Sequence, residues 1–232
     1  MSNNSEFSGF SRKTISFFRG LEKNNSKEWF DKNRDLYDDH VMMPAALYVS
    51  EMGEKLRKIS PGIVADPRRD KSIFRLNRDV RFGANKQPYK THLGIYFWEG
   101  KGKKLENPGF YFQLDKSKIM FGVGMHIFPR QMLKPYRDAV TDPKWGKELN
   151  KIIAKISKNK DYKLGWVKYK KIPRGYDPDH PNSDYLLYGG IGFMFEAKLP
   201  KELFGREFLD YSFKVFKDIS PLHKWVMEIN DL

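Results

Sequence analysis

Gly109-Phe110-Tyr111-Phe112-Gln113-Leu114-Asp115-Lys116-Ser117-Lys118-Ile119-Met120-Phe121-Gly122-Val123-Gly124-Met125 is the stretch that decides the fold. Two apolar, aromatic-rich runs, 109–114 and 117–125, flank Asp115-Lys116. A connection that short joins only antiparallel neighbours, because a parallel crossover needs a dozen residues or more. Upstream, His92-Leu93-Gly94-Ile95-Tyr96-Phe97-Trp98 is another run of strand type, closed by the Gly- and Lys-rich turn 100–104. Ile73-Phe74-Arg75-Leu76, following Asp66-Pro67, is expected as a further short strand. Gly122 and Gly124 fall on one side of their strand, where they admit the close approach of another backbone or of a ligand.

Before Asp66 the period is helical. Ile15, Phe17, Phe18 and Leu21 fall at helical spacing, and Asn24-Asn25-Ser26 then breaks the segment and offers Ser26 as the N-cap of a second helix through Trp29, Phe30, Asn33 and Tyr37. A third helix is expected over 41–59, with Pro44 in its first turn and Ser60-Pro61-Gly62 as its stop. After the sheet, 129–140 and 144–158 read as helices. The second sets Trp145, Leu149, Ile152, Ile153 and Ile156 against Lys144, Lys147, Lys151, Lys155 and Lys158. Short aromatic strands in 162–200 and closing helices over 203–209 and 219–229 complete the chain. The fold class is therefore α+β, with a helical N-terminal third, a central and largely antiparallel sheet, and helices packed on it. Residues 1–10 are expected to be a disordered lead and 11–232 a single α+β domain.

The chain has no cysteine, which excludes disulfides, thiolate metal sites and a cysteine nucleophile and suits a reducing, cytoplasmic setting. Residues 1–10 lack the pattern of a secretory signal, and no stretch approaches the roughly 18 apolar residues of a membrane span, so no membrane partner is expected. Lys and Arg number 43 against 29 Asp and Glu, a net charge of +14. The excess is local. Residues 67–92 hold eight basic side chains and two acidic ones, and 143–174 hold eleven against two.

The first of those windows carries the main functional expectation. Extended from Phe74 to Phe82, it sets Arg75, Asn77, Asp79 and Arg81 on one side and Phe74, Leu76, Val80 and Phe82 on the other, with Arg78 interrupting the apolar row. Guanidinium forks packed among aromatic side chains receive phosphate or carboxylate groups well. Arg75, Arg78, Arg81, Lys86, Tyr89, Lys90 and His92 are the expected ligand-binding set for an anionic small molecule. Asp79 and His92 are the candidates for proton transfer if chemistry occurs there, since each sits among cations able to shift its pKa. The competing structural reading has Asp79, helped by Asp70, closing the arginines into an internal ion-pair network.

Other signals are weaker. No Gly-rich loop ends in Gly-Lys-Ser/Thr, so no P-loop is present, and the common hydrolase signatures are absent. Asp177, Asp179 and His180 are metal-ligating types, but Asp-Pro-Asp-His-Pro is also ordinary turn chemistry, and no metal site is expected. The alternative function is a nucleic-acid-binding module using both basic windows, with Trp145, Tyr162, Trp166 and Tyr169 near the second as stacking residues. A steep fall of affinity with salt is its signature. An interaction scaffold without a ligand is a further class, marked by an exposed apolar patch.

Several co-linear motifs carry a resemblance. Phe17-Phe18, Leu21, Asn24-Asn25, Lys27, Trp29-Phe30 and Tyr37 are followed by Phe74-Arg75, Arg78-Asp79, Arg81-Phe82, Lys86 and Pro88-Tyr89-Lys90. Pro108-Gly109-Phe110-Tyr111, Gly122, Gly124-Met125, Leu133 with Arg137, and Pro173-Arg174-Gly175-Tyr176-Asp177 with His180-Pro181 continue the pattern. Over roughly residues 14–225 the chain resembles the domain-of-unknown-function family DUF2461. The resemblance implies one α+β domain and assigns neither an activity nor a catalytic residue.

Overall fold

The computed structural model describes residues 6–81 and 84–230; residues 1–5 of the expected lead and Phe82 of the apolar row lie outside them. The architecture is α+β, built on a six-stranded antiparallel sheet. Its strands are β1 (Ile63–Val64), β2 (Leu93–Glu99), β3 (Gly109–Leu114), β4 (Lys118–Met125), β5 (Tyr162–Val167) and β6 (Tyr188–Lys198), in the order β1-β2-β3-β4-β6-β5. The β3–β4 hairpin turns where the short connection placed it. Asp115 Oδ1 accepts from the N–H groups of Ser117 (2.7 Å) and Lys118 (2.9 Å), an aspartate closing its own turn.

Contacts gather the chain into two compact units. One comprises the described residues of Met1–Phe97 with Tyr111–Phe121 and Glu196–Lys214. Its helices are α1 (Arg12–Lys23), α2 (Lys27–Lys32), α3 (Arg34–Tyr37) and α4 (Met43–Leu56), the last two joined by a π-helical turn, Asp38–Met42. α1 starts in a capping box: the Ser11 hydroxyl accepts from Thr14 N–H and Thr14 Oγ1 accepts from Ser11 N–H. Ser26 caps α2 through Trp29 N–H at 3.2 Å, as its position predicted.

Within this unit the expected disordered lead is corrected for residues 6–10. Phe7 and Phe10 are fully buried. Their rings pack on Tyr48 at 5.3 and 5.8 Å, and Phe10 lies 5.9 Å from Phe112. The backbone is tied down as well: Phe7 N–H donates to the Glu51 carboxylate, Arg206 donates to Phe7 O (3.1 Å), and Phe10 N–H donates to Leu203 O (2.9 Å). The free energy of burying two phenyl rings outweighs the Ser, Asn and Gly around them.

The other unit comprises Trp98–Phe110, Gly122–Phe195 and the described residues of Val215–Leu232. Here α5 (Arg130–Thr141) and α6 (Trp145–Ile156) follow the expected ranges, and β5 pairs antiparallel with β6 with Tyr162 opposite Phe195 and Gly165 opposite Gly192. The five lysines at 144, 147, 151, 155 and 158 are all exposed, and Leu149, Ile153 and Ile156 are buried, so the amphipathic division holds.

Two further expectations change. The two closing helices are instead a 3-10 turn (Lys201–Phe204) and one long helix, α7 (Phe208–Asn230), which runs through Pro221. Proline has no N–H for the Lys217 carbonyl four residues back; the Ser220 hydroxyl donates to that carbonyl at 2.9 Å. Residues 73–76 form no regular strand. Ile73 bridges Ile95 and Asn77 bridges Tyr89, with the stretch between held by single hydrogen bonds.

Candidate functional site

Those bridges align residues 72–78 with 88–96. Tyr96 N–H donates to Ser72 O (2.9 Å), Phe74 N–H to Gly94 O (3.0 Å), Lys90 N–H to Leu76 O (2.8 Å) and Arg78 N–H to Pro88 O (2.8 Å). The period of two survives without a full ladder. Arg75, Asn77, Asp79 and Arg81 are exposed, Leu76 is buried, and Phe74, Arg78 and Val80 are half-buried, so Arg78 does sit in the inner row. From α1–α2, Asn25 clamps the second segment, accepting from Tyr89 N–H and donating to Tyr89 O, both at 3.0 Å.

The expected ligand-binding residues divide into three groups. Arg81 and Lys86 are engaged with their own loop: Arg81 forms a two-pronged pair with Asp79 (3.0 and 2.7 Å) and Lys86 donates to Val80 O at 2.9 Å. The Arg81 hydrogen bonds hold the Asp79 carboxyl below its usual range, so Asp79 is a weak base, stabilised in the form it would have to leave.

Arg75, Arg78, Lys90 and His92 form the second group. Among the described residues none of their side chains has a carboxylate within ion-pair distance. Lys90 lies 5.4 Å from the centre of the Phe74 ring. Burial, then the charge of Arg75, presses the Lys90 ammonium toward its neutral form; Asp70 opposes and Arg78 adds to the effect. Burial, then Lys90, does the same to the His92 imidazole, with Arg78 adding and Asp115 opposing. Lys90 therefore feels both guanidinium charges, and His92 feels Lys90 and Arg78.

Tyr89 stands apart from both. Its ring stacks on Phe30 at 4.6 Å, and it lines a cleft of about 230 Å³ together with Phe30, Tyr37, Leu76 and Asn77. Lys27, Asp31, Arg34 and Arg69 supply the charged part of that lining. Sequence reasoning missed Lys27, Arg34 and Arg69 as site residues. Phe30 and Arg34, one helical turn apart, were a visible pair; nothing local links Arg69 to Tyr37.

Elsewhere the Asp177 carboxylate accepts from Asp179 N–H (2.9 Å) and His180 Nδ1 accepts from Asn182 N–H (3.0 Å), which is turn chemistry. Among the described residues no group of three or more His, Asp or Glu is placed to hold a metal ion. No helix among them is long and apolar enough to cross a membrane.

The helices, antiparallel sheet and basic paired segments define an α+β protein with a cation-rich surface on its N-terminal unit. The chain belongs to the DUF2461 family of conserved hypothetical proteins, whose model matches residues 13–225. No curated protein gives a significant match.

Proposed function

We propose that Arg75, Arg78, Lys90 and His92 bind an anionic, phosphate- or carboxylate-bearing small molecule. The observation that carries this reading is the lack of any carboxylate within ion-pair distance of the four side chains among the described residues; burial first, and cationic neighbours next, push Lys90 and His92 toward neutrality. An anion placed among them would relieve that repulsion and accept charge-assisted hydrogen bonds. If turnover follows, His92 is the better proton-transfer group, because its pKa moves down from 6.5 and leaves a neutral base at neutral pH, whereas Asp79 is tied to Arg81. The alternative, nucleic-acid binding, draws its support from the exposed lysine face of α6 and from Arg137, which stacks 5.0 Å over Tyr169.

The test is an NMR titration of His92 with and without inorganic phosphate. Its pKa is expected to rise in phosphate, and Arg78→Ala is expected to weaken phosphate binding about tenfold, the equivalent of roughly 1.4 kcal/mol. A His92 titration that ignores phosphate removes the proposal. With the folded pKa below the unfolded one, the stability contribution of His92 is present above pH 6.5 and is lost as pH falls through the folded value.

Lys90→Met separates a binding cluster from a packing one. With an uncompensated cation gone, His92 is expected to titrate at higher pH and stability to rise by about 0.5–1 kcal/mol, while phosphate affinity falls. Urea denaturation at unchanged m-value reads the stability. A clear loss of stability would mean that the ammonium is held there for the fold.

A further inference from the structure

The cleft beside Tyr89 has features that the four-residue cluster does not share. Its floor is a set of buried rings: Phe30 lies 5.2 Å from Tyr37 and stacks on Tyr89. Two guanidinium groups lie on that floor, Arg34 at 5.2 Å over Phe30 and Arg69 at 5.6 Å over Tyr37. Each is also fixed by one carboxylate, Arg34 by Asp31 (2.7 Å) and Arg69 by Asp38 (3.2 Å). A guanidinium offers five N–H donors in a rigid plane, and one carboxylate takes two at most. Stacking and pairing therefore fix the orientation of both forks without exhausting their donors.

The remaining polar groups point to the same class of guest. Lys27 has no ion pair among the described residues, and neither the Asn77 amide nor the Tyr89 hydroxyl has a hydrogen-bond partner there. The lining holds Lys27, Arg34 and Arg69 against Asp31 alone. Leu76 and the Phe30 ring give the cleft an apolar side. At roughly 30 Å³ per water, its volume corresponds to about eight waters, room for an anionic head and one ring.

We infer that this cleft is a second ligand site, for a compact organic oxyanion whose head is held by Arg34, Arg69 and Lys27 and whose single ring-sized apolar body lies against Leu76 and Phe30. Asn77 and Tyr89 complete the polar rim. The site does not depend on the cluster of Arg75, Arg78, Lys90 and His92 and stands or falls separately.

The experiment titrates the full chain with phenyl phosphate, benzoate and inorganic phosphate, following the arginine Nε resonances and measuring affinity by calorimetry. At least one of the two ring-bearing probes is expected to shift the Arg34 and Arg69 signals and to bind more tightly there than inorganic phosphate. The tighter of the two identifies the head group. Arg69→Gln and Lys27→Met, both at surface positions, are expected to weaken that binding about tenfold or more, and Arg78→Ala to change it less than about twofold. Three results would overturn the inference: no perturbation of Arg34 or Arg69 at millimolar probe, a preference of the cleft for inorganic phosphate, or a loss confined to Arg78→Ala.

Discussion

Phe10→Ala is expected to lower the unfolding free energy by about 3–5 kcal/mol, the range for emptying a buried phenylalanine site. Phe10 is fully buried and its ring meets Phe7, Tyr48, Phe112 and Phe208, the last at 6.0 Å edge-on, so the void would open among side chains that are themselves fixed. Large aromatic neighbours relax little into such a space. A domain is stable by only about 5–15 kcal/mol, so this one ring carries a large share of the margin. Deleting residues 1–10 is expected to cost more, because it also removes the Phe7 ring, the hydrogen bond that Phe7 N–H donates to Glu51 and the one that Phe7 O accepts from Arg206. Urea denaturation of both variants measures the effect. A Phe10→Ala variant within about 0.5 kcal/mol of the parent, the usual surface range, would place the N-terminal segment off the core.

The same segment shows where the sequence stopped being legible. Phe7 and Phe10 are two apolar residues among Ser, Asn and Gly, too few for any period, and their burial depends on Tyr48, Phe112 and Phe208 from remote parts of the chain. By contrast, the β3–β4 hairpin was legible because Asp115-Lys116 leaves the backbone a single way to turn. The break expected between 209 and 219 does not occur: α7 runs on from Phe208 through Pro221, and nothing in the pattern says that a neighbouring serine will satisfy the carbonyl that the proline leaves without a donor.

In the basic segment, the charge and the period of two were both readable, and Arg78 fell in the inner row where the alternation put it. The direction in which each long side chain turns was not. Asp79 and Arg81 share a side and sit two residues apart, so the nearest carboxylate captured that fork, while Lys86 folded back on Val80 O. Arg69 meets Tyr37 and Asp38 only through the tertiary fold, which is why the sequence showed no more of the cleft than the Phe30 and Arg34 pair.

Gly124→Ala is expected to cost about 3 kcal/mol or more, and the reason lies in how β4 and β6 approach each other. Gly124 has φ +128°, a conformation that side-chain-bearing residues rarely adopt. A methyl there would lie 2.3 Å from Ile191 O and 2.6 Å from Gly192 Cα, both backbone atoms that cannot swing aside. The crowding is mutual, since a Cβ on Gly192 would lie 2.7 Å from Val123 O and one on Gly190 2.1 Å from His126 O. Gly124, noted in the sequence, thus serves strand packing, the backbone of β6 being the close neighbour. Gly102→Ala supplies the control: φ is +83° but nothing lies within 4 Å, so its cost is expected to be backbone strain alone, about 1 kcal/mol. The difference between the two variants in urea denaturation measures the steric part. Equal costs would mean that β4 and β6 can separate to admit the methyl group, and that their close approach contributes little to holding the sheet together.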